Sequence, residues 1–365
     1  MGAVLATQAT DADGNAMPAM ETMETMETMA PMAPFVPAPN VPLTLSQLTN
    51  FLRNPVKAFF RQRLQVVFDE TQEEDADDES FGVDGLQRYG LLQDLLTSAT
   101  AQPDETQEQL CVQQSLAKLR KSGDLPLKVF GDIEQLALEQ TLSQMLSAWR
   151  AEQAAYPHAA RRQSVRCEAA AVVLEDWVDH LRRRDVQADA EGGVSIPVAW
   201  LELQPSKLLF KVRGKHFAQP EKLLGAWVRS LAVAASGAQV QGVLVGLDGV
   251  VRIPPMAQAE AVGALQDLLR LWLDGMNAPL PLPSKTALAF VAEAKPATIY
   301  DGGHMNEGEV KDACLARMYP DYDALIEDGR FEDLAQAVYA PLLQWAQQLS
   351  AEPHATQAAS QEVAA

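Results

Sequence analysis

The stretch Leu208-Leu209-Phe210-Lys211-Val212-Arg213-Gly214-Lys215 decides the fold class, because it has the composition of a β-strand and contains no carboxylate. Another predicted strand precedes it, with the sequence Ile196-Pro197-Val198-Ala199-Trp200-Leu201-Glu202, and a long apolar helix is predicted over residues 220–235. A further apolar run over residues 240–247 has the composition of a strand. This order of elements indicates an α/β or α+β domain.

Strand, strand and helix in this order are also the arrangement in which restriction-endonuclease-like cores hold the acids that bind Mg²⁺. Cleaving a phosphodiester in this way requires two or more carboxylates on the metal and a lysine that positions the water. Glu202 ends the first strand, but the second offers Leu209 and Phe210 where an acid is needed. We therefore predict an α/β chain with a degenerate restriction-endonuclease-like (PD-(D/E)xK-type) core, a helical N-terminal half and C-terminal helices. No catalytic residue, metal site or cofactor is expected.

The rival hypothesis is an active Mg²⁺-dependent nuclease that uses Glu202. The segment Glu202-Leu203-Gln204 would then be a degenerate Glu-x-Lys element, with Asp189 or Glu191 as the upstream acid. This requires Gln204 to replace a lysine and a loop acid to act as a well-placed ligand. The simpler interpretation is a single carboxylate that faces solvent at the end of a strand.

The candidate DNA-binding residues are Lys207, Lys211, Arg213 and Lys215. In one continuous strand, alternation would place these odd-numbered side chains on the same face. A basic ridge opposite an apolar face suits the phosphates of a DNA backbone. A solvated sheet face would have the same pattern, so both interpretations stay open.

The composition limits the function classes. The net charge is −20 and the pI is near 4.6, which argues against free-standing DNA binding. Eight of the eleven residues 69–79 are acids, so much of the negative charge is concentrated in one segment. The net charge therefore does not exclude a local basic channel elsewhere. No apolar run reaches the roughly 20 residues that a membrane span needs, and the N-terminus has no secretory pattern. With three widely spaced cysteines, these features predict a cytoplasmic protein without a membrane partner.

The predicted organisation has three parts. Residues 1–41 form a disordered Met/Pro/Ala-rich linker, because their repeats cannot bury a core. Residues 42–350 form one domain, and residues 351–365 form a frayed tail. Within the domain we expect three regions: a mainly helical part (42–160), a nuclease-like α/β core (161–300) and C-terminal helices (301–350).

Several local predictions concern the candidate site. A helix is expected over residues 56–68 and a strand over residues 165–172. Asp176 and His180 are four residues apart, which would place them on one helix face. Asp248-Gly249 is predicted to be the two-residue turn of a hairpin.

Five segments of the chain, in order, resemble landmarks of the C-terminal domain of the exodeoxyribonuclease V gamma subunit (RecC) family. The first is Asn54-Pro55-Val56-Lys57-Ala58-Phe59-Phe60-Arg61-Gln62-Arg63-Leu64, which is similar to the family's entry helix. The others are Val83-Asp84-Gly85-Leu86-Gln87-Arg88-Tyr89, Gly123-Asp124-Leu125-Pro126, Ala234-Ala235-Ser236-Gly237 and Gly275-Met276-Asn277-Ala278-Pro279-Leu280. Each motif alone is weak, but their common order and spacing over residues 42–345 are specific.

The resemblance implies a part in a RecBCD-type helicase–nuclease complex that processes double-strand DNA ends for recombinational repair. Subunits of this family carry no ATPase or nuclease site, scaffold the RecB-type and RecD-type motor subunits, and help to split the duplex. The partners expected from it are those motors, double-stranded DNA ends and unwound strands. Family members are much longer and have helicase-like front domains, so we expect a fragment, a split gene product or a separately encoded domain. A protein-binding adaptor without DNA contact is a third hypothesis, in which the acidic residues 69–79 meet a basic partner.

Overall fold

The structure is a computed structural model that describes residues 33–38, 40–68, 85–102, 104–122, 128–185, 187–188, 194–195, 197–303 and 306–354. The segment Phe35–Ala365 forms one compact unit. Phe35 already belongs to it, since its backbone N–H donates to Asn277 Oδ1 at 2.7 Å and its ring packs edge-on against Trp272. The Met-rich repeat, the acidic residues 69–79, the acids Asp189 and Glu191, and the tail 355–365 lie outside the described residues.

The described helices are α1 Leu45–Arg53, α2 Pro55–Ala58, α3 Gly85–Thr100, α4 Glu105–Ser122, α5 Lys128–Ala155, α6 Pro220–Ala235, α7 Gln258–Asn277, α8 Ser284–Val291, α9 Pro296–Asp301, α10 Ala313–Met318, α11 Tyr322–Ile326 and α12 Arg330–Gln347. A π-helical turn, Phe59–Arg63, follows α2, and a 3₁₀ turn, Glu309–Lys311, precedes α10. None of the described helices is long and apolar enough to cross a membrane.

The described strands are β1 His158–Ala159, β2 Gln163–Ala169, β3 Val172–Val178, β4 Leu181–Arg183, β5 Gln187–Ala188, β6 Val194–Ser195, β7 Val198–Leu203, β8 Leu209–Val212, β9 Lys215–Ala218, β10 Val240–Val245, β11 Gly249–Ile253, β12 Gly302–Gly303, β13 Asn306–Glu307 and β14 Ser350–Pro353. Six of them form one mixed sheet in the order β1-β4-β7-β10-β11-β14. β7 and β10 are parallel and joined through α6, while the other neighbours are antiparallel. The mixed α/β class predicted from the sequence is confirmed at this level.

Side chains of alternating residues divide the sheet between two apolar layers. On β7, Ala199 and Leu201 face a cluster that also contains residues of α3, α4 and α5. Trp200 faces the other layer, which is formed mainly by α1, α6, α7 and the C-terminal helices. The sheet is therefore covered on both faces, which explains why its central strands are mainly apolar. The α3–α5 helices cover one face of the same sheet.

The first helix of the domain begins at a cap formed by Thr44. The Thr44 hydroxyl accepts the Gln47 N–H, and the Gln47 side chain accepts the Thr44 N–H, a complete capping box for α1. The predicted helix over residues 56–68 is too long, because helical structure ends at Arg63 and Gln65 has a φ of 57°. A non-glycine residue with positive φ cannot continue a right-handed helix.

The region after α5 differs from the sequence prediction. Instead of one strand over residues 165–172, β2 and β3 form a hairpin in which Ala169 pairs with Val172. The predicted helix face that joins Asp176 and His180 is therefore wrong. Asp176 lies on β3, and His180 has a φ of 57° in the connection to β4. The apolar alternation of Val172, Leu174 and Val178 was the signal for this strand.

The β2–β3 turn provides a stability prediction. Ala170 and Ala171 both have positive φ, 46° and 68°, which is the type I′ geometry that favours asparagine and glycine. Replacing Ala171 with glycine should raise the free energy of unfolding by about 1 kcal/mol, because a left-handed conformation is strained for alanine. Urea denaturation measures the change. Ala169→Gly in the adjacent strand is the matched control and should be destabilising by about 0.5–1 kcal/mol. Equal effects of the two substitutions would contradict the turn assignment.

A partly buried ion pair joins α2 to the cap of α10. Lys57 Nζ lies 2.9 Å from Asp312 Oδ2, and Asp312 Oδ1 accepts the N–H groups of Cys314 and Leu315. Burial alone would raise the pKa of Asp312. The hydrogen bond and charge of Lys57 and the two N–H groups outweigh it, so this pKa lies below its usual range.

A carboxylate with a lowered pKa stabilises the fold above its unfolded pKa, and this contribution is lost as the pH falls through the folded pKa. Asp312→Asn, which retains a capping side chain, should therefore be destabilising by about 1 kcal/mol at neutral pH. The difference from wild type should shrink as the pH falls below about 3.9, the ordinary aspartate pKa. Urea midpoints across this pH range test the prediction. A constant difference would show that the carboxylate charge is not involved.

Two further local predictions are corrected. The β10–β11 hairpin turns at Leu247 and Asp248, one residue earlier than predicted, since the Gly246 N–H donates to Gly249 O at 2.8 Å. At the C-terminus, β14 occupies part of the predicted frayed tail. It pairs with β11, and the His354 N–H donates to Asp248 O at 3.2 Å.

Candidate functional site

A polar groove of about 640 Å³ lies beside the end of β7, between β3, α1, α3 and α6. In α/β proteins, ligands bind beyond the carboxyl ends of the strands, where crossover connections leave a crevice. Glu202 occupies this position on β7, one residue before the strand ends. The ionisable residues that line the groove are Arg53, Asp176, Asp179, His180, Glu202, Lys222 and Arg229.

The central contact in the groove joins Glu202 to Arg229 of α6. Arg229 Nη1 donates a hydrogen bond to Glu202 Oε2, and both side chains are about one-third exposed. The guanidinium also lies over the Trp200 ring, 4.7 Å from its centroid, so aromatic contact fixes its position. The Glu202 carboxylate is thus neutralised by a cation of the protein itself.

The oxygen-bearing side chains of the groove do not suit a divalent cation, which requires several oxygen ligands. The Asp176 carboxylate accepts the N–H groups of Leu45 and Trp177, at 2.9 and 2.8 Å. Gln204 donates to the Lys222 carbonyl at 3.3 Å and carries no charge with which to activate water. Across the part of the chain that the structure describes, no group of three or more His, Cys, Asp or Glu residues could hold a metal.

The basic stretch that contains Lys211, Arg213 and Lys215 forms a hairpin, β8–β9, with a buried base. Asp248 holds this base, because its carboxylate accepts the N–H groups of Leu208 and Leu209 at 2.8 and 3.1 Å. Gln219 adds a hydrogen bond from its Nε2 to Leu209 O at 2.7 Å. Leu209 and its partner Ala218 are 6% and 2% exposed, so the hairpin is rigidly attached to the body.

The tip of the hairpin is exposed and basic. Arg213 and Gly214, with φ of 48° and 84°, form the turn, and Val212 pairs with Lys215 across it. The prediction that the four basic residues share one face of a single strand is therefore wrong. The pairing places Lys211 and Lys215 on opposite faces of a two-stranded ribbon, and Lys207 precedes β8. All four basic side chains are exposed, and none forms a salt bridge with a carboxylate of the described residues.

Glu202 and Gln204 were predicted from the sequence as candidate site residues, whereas Arg229, Trp177 and Asp179 were not. Arg229 lies 27 residues away from Glu202, and no spacing rule joins a strand end to the middle of a following helix. The available signal was the single arginine in the apolar face of α6, beside Trp227 and Val228. A charge in that position requires a partner.

These features define a mixed α/β domain with a groove at the usual ligand position and an exposed basic hairpin, and its described residues contain no carboxylate set for a metal ion. Residues 40–295 match the family described as the RecC C-terminal domain, and this chain belongs to that family. The matched region contains both the groove and the hairpin and ends just before α9.

A curated relative is the RecBCD enzyme subunit RecC of Escherichia coli (strain K12). It is 30% identical to this chain over 237 residues, which are 65% of this chain and 18% of the relative. The chain thus spans less than a fifth of the relative's length.

Proposed function

We propose that this chain is a non-catalytic, DNA-contacting scaffold part of a RecBCD-type exodeoxyribonuclease V complex in double-strand-break repair and recombination. Its partners would be RecB-type and RecD-type motor subunits, double-stranded DNA ends and unwound strands. The exposed basic β8–β9 hairpin, on a domain of the RecC C-terminal family, carries the proposal.

The shape and charge of the hairpin support DNA contact. A two-stranded ribbon is narrow enough to enter the major groove of a duplex or the fork between two strands. Lys211 and Lys215 on opposite faces allow both sides of the ribbon to meet phosphates. Arg213 adopts a left-handed conformation that arginine rarely takes, and strain of this kind concentrates at functional sites.

We also propose that β4, β7, α6 and β10 are a degenerate restriction-endonuclease-like core. The parallel β7–α6–β10 unit and the strand-end Glu202 support it. Arg229 on that carboxylate, and Gln204 where a lysine would be needed, support the loss of catalysis. With residues 161–300 as the core, the helical residues 42–160 and the C-terminal residues 301–350 would provide the surfaces that contact partner subunits.

Neutralising the hairpin tests the DNA contact. The variant Lys211→Ala/Arg213→Asn/Lys215→Ala should bind a forked duplex with a weaker salt dependence. The slope of log K against log salt concentration should fall by the amount that about three ionic contacts contribute. Asparagine at 213 suits the left-handed turn, so the variant should keep or improve its folding stability. Binding isotherms of the full chain at several salt concentrations give this slope.

The control for the hairpin variant removes the same charge elsewhere. Arg120, Lys121 and Arg270 lie on exposed parts of α4 and α7, and their triple replacement with alanine should leave the slope unchanged. An equal loss in both triple variants would mean that net charge, and not the hairpin, determines binding.

The competing function is an active nuclease, favoured by the position of Glu202 in a groove at a strand end. Incubating the chain with Mg²⁺ and linear DNA distinguishes the two. Metal-dependent cutting that Glu202→Ala abolishes would establish the nuclease and overturn the proposal. Assembly with the motor subunits without any DNA contact would favour the protein-binding adaptor.

A further inference from the structure

Two exposed aromatic side chains line the same groove from different elements. Tyr89 on α3 is 44% exposed, and Trp177 on β3 is 47% exposed. Large aromatic side chains are usually among the most buried in a domain, and Trp200, Trp227 and Trp272 are all less than 10% exposed here. The groove therefore offers two ring surfaces that the packing of the domain does not use.

One cation lies over a ring of the groove, and two others line the groove. The guanidinium of Arg162 lies 4.1 Å from the centroid of the Trp177 ring, which still exposes about half of its surface. Arg53 of α1 and Lys222 of α6 are exposed and line the groove. Aromatic rings beside cations form the surface on which single-stranded nucleic acids stack their bases and place their phosphates.

Two of the three acids of the groove have partners within the domain. The carboxylate of Asp176 accepts two backbone N–H groups, and that of Glu202 is held by Arg229. Asp179 is exposed and forms no salt bridge within the described residues. Of the three lining carboxylates it is the one without a hydrogen-bond or ion-pair partner among the described residues, and it provides a direct electrostatic test.

We propose that this groove binds single-stranded nucleic acid, with bases stacked on Trp177 and Tyr89 and the backbone near Arg53 and Lys222. The inference rests on the proposed function for the nature of the ligand, but it concerns a site separate from the β8–β9 hairpin.

Intrinsic fluorescence of the full chain, titrated with an oligothymidylate, tests the inference. Trp177 is the most exposed of the tryptophans, so base stacking should quench its emission. Trp177→Ala should weaken binding about tenfold, since one stacked base contributes 1–3 kcal/mol. Trp177→Phe should lose most of the quenching and keep most of the affinity, and Asp179→Asn should strengthen binding.

The outcomes separate this inference from the proposed function. If Trp177→Ala and Tyr89→Ala bind the oligonucleotide as tightly as wild type, or if wild type does not bind it, the groove inference is overturned. The hairpin variant Lys211→Ala/Arg213→Asn/Lys215→Ala, measured in parallel on a forked duplex, reports on the proposed function alone. If the hairpin variant loses binding to the forked duplex while Trp177→Ala has no effect on the oligonucleotide, the proposed function is retained and the groove site is rejected.

Discussion

Replacing Trp200 with alanine should lower the free energy of unfolding by about 3–5 kcal/mol, the usual cost of removing a fully buried aromatic side chain. Trp200 is 2% exposed and fills the space between β7, β10 and α6. Gly242 on β10 faces it so closely that an added Cβ would lie 2.3 Å from the ring. Removing the ring therefore leaves a large cavity that neighbouring side chains cannot fill. Urea denaturation followed by circular dichroism measures this change.

Trp177→Ala is the matched control for Trp200→Ala. It makes the same chemical change on a side chain that is 47% exposed, and it should be destabilising by less than about 1 kcal/mol. Gly242→Ala tests the same contact from the other strand and should be destabilising by about 1–3 kcal/mol through overpacking. Equal effects of the two tryptophan substitutions would show that Trp200 is not the centre of the sheet–helix contact.

Arg252→Met should lower the free energy of unfolding by about 3 kcal/mol, because it leaves a buried carboxylate without its cation. Arg252 on β11 donates to Glu152 of α5, whose side chain is 8% exposed. Its other terminal nitrogen lies 2.7 Å from Glu352 of β14. One guanidinium thus joins the sheet to the α3–α5 layer and to its last strand. The free energy of unfolding in urea measures the loss.

The double variant Arg252→Met/Glu152→Leu separates an unpaired charge from lost packing. Replacing both members of a buried pair with apolar residues is often neutral or stabilising, so the double variant should recover most of the loss. If it is as unstable as Arg252→Met alone, the packing of the arginine stem, and not the charge of Glu152, accounts for the effect.

The sequence predicted elements whose apolar pattern continues over a whole strand or helix. Val198–Leu203, Pro220–Ala235 and Val240–Val245 lie close to their predicted bounds, because each is buried along its length. The hairpin at residues 209–218 was predicted as one strand, because Arg213-Gly214 lacks the asparagine or aspartate that usually indicates a two-residue turn.

The groove could be predicted only in part. Glu202 was visible as an acid at a strand end, but Trp177 and Asp179 depend on β3 and its connection, where a helix was predicted. The contact of Arg229 with both Glu202 and Trp200 follows from how α6 crosses the sheet. That geometry is set by packing between layers, and local sequence rules do not contain it.

Photocrosslinking from the hairpin to DNA, in the proposed assembly with RecB-type and RecD-type motor subunits, tests the DNA contact most directly. A photoreactive phenylalanine analogue at Val212, which is 46% exposed beside the turn, would be compared with one at Ile133, which is 60% exposed on α5. A hairpin that contacts DNA without cutting it should crosslink to a forked duplex from position 212 and not from position 133, and this chain should leave the DNA uncut when Mg²⁺ is present. The absence of crosslinks from position 212, or cutting that Glu202→Ala abolishes, would contradict the proposed function.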